Sequence, residues 1–140
     1  MKKFKLKIES KTEKLIVVRE FISETARLYG FPNDEIGKIA LAVDEACTNI
    51  IKHAYQYAPD KEINIEIHTT DSSFEVIITH TGVLFDPKSI KPPDMHDYIV
   101  HPRRGGLGMH LMRLLMDKVE YRILPENICE VHLVKKMIPS

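Results

Sequence analysis

The chain has 140 residues, with 20 basic and 20 acidic side chains that cancel. This length suits one domain with a sizeable core. The balanced charge gives no global field toward nucleic acid or an anionic membrane, so binding must be local. No apolar run approaches the roughly 20 residues of a membrane span. Met1-Lys2-Lys3 leads into alternating Phe4, Leu6 and Ile8 rather than a signal-peptide core, so the expected location is the cytoplasm. Cys47 and Cys129 both fall in apolar patterns and read as small buried hydrophobes, with no disulfide.

Phe4, Leu6 and Ile8 alternate with Lys5, Lys7 and Glu9 as a strand with one wet face. Ser10 with Glu13 makes a capping-box signature for a first helix carrying Leu15, Val18, Ile22, Ala26 and Tyr29, which Gly30 stops. Asn33 is the expected cap of a second helix, with Asp34 and Glu35 in its first turn and an apolar stripe of Ile36, Ala40, Val43, Cys47, Ile50 and Ala54. That helix should end before Pro59.

Ile63, Ile65 and Ile67, then Phe74, Val76 and Ile78, alternate on either side of Asp71-Ser72-Ser73 and predict an antiparallel hairpin. From Asp86 to Arg104 the chain carries Pro87, Pro92, Pro93 and Pro102 without a sustained period, and this stretch reads as a mobile lid. Leu107, Leu111, Leu114 and Leu115 mark a third helix. Val119, Tyr121 and Ile123, then Val131 and Leu133, form a closing pair of strands around Pro125-Glu126-Asn127.

The expected fold is therefore an α+β two-layer sandwich of one domain, residues 1–140, without repeats or linkers. Its mixed, mainly antiparallel sheet would carry helices on one face, stacked there in two layers.

On a helical wheel Lys38, Glu45, Asn49, Lys52 and Gln56 cluster opposite the apolar stripe. Taken alone this is a solvated helix face. The segment Gly105-Gly106-Leu107-Gly108 precedes an apolar helix, where bare amides and the helix dipole suit polyphosphate, although a flexible hinge would look the same. Arg103 and Arg104 just upstream offer paired donors to phosphate oxygens. An Asn side chain plus phosphate oxygens suffices for magnesium, which fits Asn49. A carboxylate one turn away can accept a proton from an attacking hydroxyl, which fits Glu45.

With Glu45-x-x-x-Asn49 in LAVDEACTNIIKHAY, then HTGVLFDP, then RRGGLGMHLMRLLMDKVEY, most of the chain resembles the GHKL (histidine-kinase-like) ATPase superfamily through its N, G1 and G2 boxes. Within it the chain is most similar to the RsbW-like anti-sigma factor serine-protein kinases of bacterial partner-switching systems. The resemblance implies a Bergerat fold that binds Mg-ATP under the lid, sequesters a sigma factor and phosphorylates a serine of a STAS-type anti-anti-sigma protein. It implies no direct nucleic-acid or membrane partner and leaves room for a homodimer.

By position, the resemblance makes Glu45 the general base and Asn49 the magnesium ligand. Lys52 and His53 would lie near the phosphates, and Gly82 under the adenine. Arg104 would reach the terminal phosphate, and Gly105, Gly106, Leu107 and Gly108 would form the phosphate-wrapping segment.

Two positions depart from the family pattern. His80 stands where the G1 box has an Asp that accepts the adenine amino hydrogen, and Leu84 replaces a usual glycine. A neutral imidazole can accept one hydrogen bond on its bare nitrogen, but loss of a good buried partner costs about 1–3 kcal/mol. His80 also has a plain reading as a partly exposed residue at a strand end.

A rival to the kinase is therefore a partner-switching binding module that kept the fold and lost useful ATP affinity. The ATP-binding half of a sensor histidine kinase ranks below both, since it needs a separate phosphoacceptor helix. His96, His101 and His110 match no zinc spacing.

Overall fold

The computed structural model describes residues 1–81 and 104–137, with the backbone alone described over 104–109. Strands β1 (Lys2–Glu9), β2 (Glu62–Thr69), β3 (Ser73–Thr81), β4 (Lys118–Leu124) and β5 (Ile128–Lys136) combine with helices α1 (Leu15–Tyr29), α2 (Asn33–Asn49) and α3 (Arg104–Leu115). The strand order is β1-β2-β3-β5-β4, and every pairing among the described residues is antiparallel. The two-layer α+β architecture is as expected. Among the described residues the sheet is antiparallel throughout rather than mixed.

Alternation sorts the side chains by face. One row of paired residues runs Leu6, Ile65, Ile78, Val131 and Tyr121; the next runs Phe4, Ile67, Val76, Leu133 and Val119. The centres of these rows are buried, and β2 hides Ile63, Ile65 and Ile67 completely. α1 touches β1, α2 touches β3 and β5, and α3 touches β4. Since every helix reaches the sheet, the helices form one layer rather than the two expected.

Several local signals resolve differently from their sequence reading. Ser10 is not a helix cap: its buried hydroxyl donates to the Ala58 carbonyl and accepts from Lys61 N at 3.1 Å, tying the end of β1 to the approach to β2. Glu13 lies in a short 3-10 turn, Thr12–Lys14, ahead of α1. Asn33 is the first helical residue of α2, with Pro32 in the cap position and no side-chain cap bond.

Gly30 does stop α1. It sits at φ 114, its N–H reaches Ala26 O, and Phe31 N also bonds Ala26 O at 3.2 Å, closing a left-handed cap. That turn delivers Phe31 into an aromatic cluster with Tyr29 and Phe74, with ring centroids 5.0–5.6 Å apart.

On α2 the buried face is broader than the stripe suggests, including Ile39, Ala42 and Ala46 as well as Val43 and Cys47. Among the described side chains of α3 Met112 is fully buried, and Met116 just past the helix is buried too; Leu111 and Leu115 are half-buried, and Leu114 is 69% exposed. The predicted leucine stripe is thus displaced by about a third of a turn. Cys47 and Cys129 are free and buried, as expected, and burial pushes the Cys47 thiol up to about 12. Among the described residues no helix is long and apolar enough to cross a membrane.

The packing predicts a steep contrast between two isoleucines. Ile65→Ala, at a fully buried position in the second strand, should cost about 2–5 kcal/mol. Ile16→Ala, at a site 55% exposed on α1, should stay within about 0.5 kcal/mol of the parent in urea unfolding. Equal losses would contradict the assigned face of β2.

Candidate functional site

α2 carries Glu45 and Asn49 one turn apart in its last two turns, and both are half-buried. After Asn49 the helix continues as a π-helical turn, Ile50–Ala54, which sequence periodicity did not reveal. Such widened turns recur at functional sites. Here the turn puts Ile50, Ile51 and Ala54 into the core, leaving Lys52 half-buried and His53 exposed. Gln56 and Tyr57 then take left-handed φ values of 48 and 65, with Tyr57 N bonded to Ile51 O at 2.8 Å. Two consecutive non-glycine residues in this region reverse the chain tightly at some conformational cost.

Tyr55, which the sequence reading did not single out, holds this end of the domain together. Its buried hydroxyl donates to Glu62 O at 2.6 Å and accepts from Thr81 N at 3.1 Å, linking the end of α2 to the start of β2 and the end of β3. The available signal was the four-residue spacing Cys47, Ile51, Tyr55, which extends the apolar stripe.

The Tyr55 ring meets His80 edge-on, with centroids 5.8 Å apart and planes at 87°. His80 faces the helices, in the row Ile8, Ile63, His80, Cys129 and Ile123. It is 9% exposed, so the reading of a partly exposed strand-end residue is overturned. Phe74, Val76 and Ile78 already had the parity that turns His80 inward. Burial pushes its pKa down to about 4, so the ring is neutral near pH 7.

The glycine segment lies inside α3, not ahead of it. Arg104 is the first helical residue, so Gly105, Gly106, Leu107 and Gly108 occupy the opening turns. The first four N–H groups of a helix have no intrahelical partner, and here they belong to Arg104 through Leu107.

α3 packs against α2. At the far end, Lys135 Nζ lies 2.9 Å from Leu115 O, in the last turn of α3, and 3.0 Å from Glu35 Oε2, in the first turn of α2. The end of one helix therefore meets the start of the other, and the two run antiparallel. From this junction Asn49 stands about 21 Å along α2 and Arg104 about 17 Å along α3, at about 1.5 Å per residue. The two predicted halves of the site thus share one end of the helix layer.

Gly82, Leu84, the expected lid at 86–104 apart from Arg104, His96 and His101 lie outside the described residues. His110 is exposed on α3. Among the described residues no group of three or more His, Cys, Asp or Glu could hold a metal.

The sequence model of the family described as the histidine kinase-like ATPase domain matches residues 8–134, from the end of β1 almost to the end of β5. The chain belongs to the histidine kinase-like ATPase family. Within it, the chain is 33% and 34% identical to two serine-protein kinases RsbW of Bacillus cereus, over 122 residues that cover 84% of this chain and 76% of theirs. RsbW of Bacillus thuringiensis is 33% identical over the same shares. The solved RsbU and RsbW domains of a protein from Mycobacterium tuberculosis superpose with a TM-score of 0.69 at 12% identity, covering all of this chain and 34% of that one. This last likeness is one of fold.

The buried neutral imidazole of this ATPase-family domain has a pH signature. A histidine whose folded pKa is depressed from 6.5 to about 4 keeps its stabilising neutral form above 6.5, and stability is lost as pH falls through that window, because the unfolded chain binds the proton first. Between pH 7 and pH 5 the loss should reach about 2 kcal/mol. Urea unfolding of His80→Gln should show a flatter profile over the same interval, whereas parallel profiles would refute the assignment.

Proposed function

We propose that this chain is an ATP-dependent protein serine kinase and anti-sigma factor of a partner-switching system. In this reading it phosphorylates a serine on a STAS-type anti-anti-sigma protein and sequesters a sigma factor. What supports the reading is that the end of α3 meets the start of α2 while the two helices pack together, which turns the end of α2 bearing Glu45 and Asn49 and the glycine-rich start of α3 toward the same side. Family membership and the RsbW relatives give that geometry its reaction.

Mg-ATP, when bound, supplies the phosphoryl group and the divalent cation. Asn49 offers a hard carboxamide oxygen to magnesium, and Lys52 and His53 supply donors around the phosphates. The amides of Arg104, Gly105, Gly106 and Leu107 point along a dipole that favours anionic oxygens, and Gly108 keeps the next turn free of a Cβ. The Arg104 guanidinium is assigned to the terminal phosphate. Glu45 would accept the proton of the substrate serine hydroxyl as its oxygen bonds the γ-phosphorus and the bond from that phosphorus to the bridging oxygen breaks, releasing ADP, which is positioning work more than covalent work. Gly82 completes the proposed adenine side.

His80 is the specific reason to keep a second reading. A neutral buried ring offers the adenine amino group at most one acceptor nitrogen, where a carboxylate offers two charged oxygens. If that weakening is complete, the domain is a binding module that works through its partners without nucleotide.

Mg-ATP titration separates the two readings, with saturable micromolar binding expected for the kinase and none at millimolar concentration for the module. Glu45→Ala should abolish transfer of labelled phosphate to a candidate antagonist while leaving most of the binding. A variant that loses affinity but retains its transfer rate would remove Glu45 from the role of base. His80→Asp should bind Mg-ATP about 5- to 100-fold more tightly, and unchanged affinity would dissociate His80 from the nucleobase.

A further inference from the structure

Lys135 is a charged residue on a sheet face built for apolar ones. It shares its side of β5 with Cys129, Val131 and Leu133, stands opposite Phe74 on β3, and keeps only 12% of its side chain exposed. Sequestering an ammonium group is costly unless its donors are used. Here they are used on two helices at once. One donates to the Leu115 carbonyl, an acceptor that the end of α3 leaves without an intrahelical partner, and another reaches Glu35 at the start of α2. The cation also complements the negative end of the α3 dipole. Lys38 supports the same carboxylate from 3.4 Å.

A second attachment clarifies what Lys135 adds. Asp117, just past α3, bonds Val134 O through its N–H at 2.9 Å and accepts Lys136 N on Oδ2 at 2.7 Å. Those bonds pin the end of α3 to β5 but do not touch α2. They leave a hinge. About that hinge, a tilt of roughly 3° would move the first turn of α3 by about 1 Å, since it lies about 17 Å away. A shift of that size is enough to disturb a polyphosphate clamp.

We infer that Lys135 is a positioning residue for the nucleotide site: by tying Leu115 to Glu35 it sets the alignment of α3 on α2, and with it the approach of the α3 amides to Asn49. The inference rests on the nucleotide-binding reading of the preceding section. The lowered pKa of Glu35, caused first by its hydrogen bond from Lys135, agrees with a tie that is formed.

The test uses the full chain and Mg-ATP itself, with affinity by calorimetry and stability by urea unfolding. Lys135→Met, which keeps the apolar stem, should bind Mg-ATP about tenfold more weakly. Lys135→Arg should recover most of the loss, and Glu35→Gln should weaken binding without adding to the Lys135→Met effect when combined with it. Ile22→Ala, in the buried core of α1, supplies a stability-matched control that should leave affinity unchanged. Hydrogen exchange across α3 should rise in Lys135→Met and not in Lys135→Arg. Unchanged Mg-ATP affinity in Lys135→Met, or an equal fall in Ile22→Ala, would overturn the positioning role alone. Absence of saturable binding by the parent chain would overturn the nucleotide reading beneath it.

Discussion

The seating of α2 between its two neighbour helices and the sheet is the constraint on which the domain depends. Its residues Ile39, Ala42, Val43, Ala46 and Cys47 are buried, while α1, α3, β3 and β5 all contact it. Small alanines on this face let the neighbours approach, and Ile39 and Val43 fill the space between them. Arg19 of α1 reaches Asp44 at 3.1 Å, so the α1 contact is also fixed next to Glu45. A helix held on so many sides presents its remaining narrow strip of polar residues in one orientation.

That strip acquires chemical meaning from what lies at its end. A helix terminus offers unpaired amides, a carboxamide offers a hard oxygen, and a carboxylate offers a proton acceptor; each is common and uninformative alone. The antiparallel run of α2 and α3, tied by Lys135, brings these groups to one end of the helix layer. Beneath that end, Tyr55 joins α2 to β2 and β3, and its ring bounds the buried His80. This end of α2 is therefore held by hydrogen bonds to two strands.

The other face of the sheet follows a different logic. A row across it runs Lys5, Glu66, Ile77, His132 and Glu120, with His132 held 3.0 Å from Glu130 and 3.6 Å from Glu75. Lys3, Lys5 and Lys7 line β1, where like charges discourage strand addition. Charges on this face interleave by sign across neighbouring strands, around a centre where Ile77 and His132 are buried.

Much of this was readable from residue order. Period-two runs such as Ile63, Ile65 and Ile67 can bury one face only as a strand, and the three helices show their own periods; those local rules establish the α+β class, and Glu45-x-x-x-Asn49 with the glycine segment points to the nucleotide family. Residues whose partners are distant in sequence were not readable. Ser10 looked like a cap because Ala58 and Lys61 are invisible from its neighbourhood, and Met112 displaced the leucines because α2 determines which side of α3 is covered. The junction of Lys135 with Glu35 and Leu115 spans most of the chain. Local propensity acts over a few residues, whereas burial and hydrogen-bond satisfaction act in space, so the sequence by itself determined the elements and their chemistry, and only the tertiary structure decided which ends of them meet.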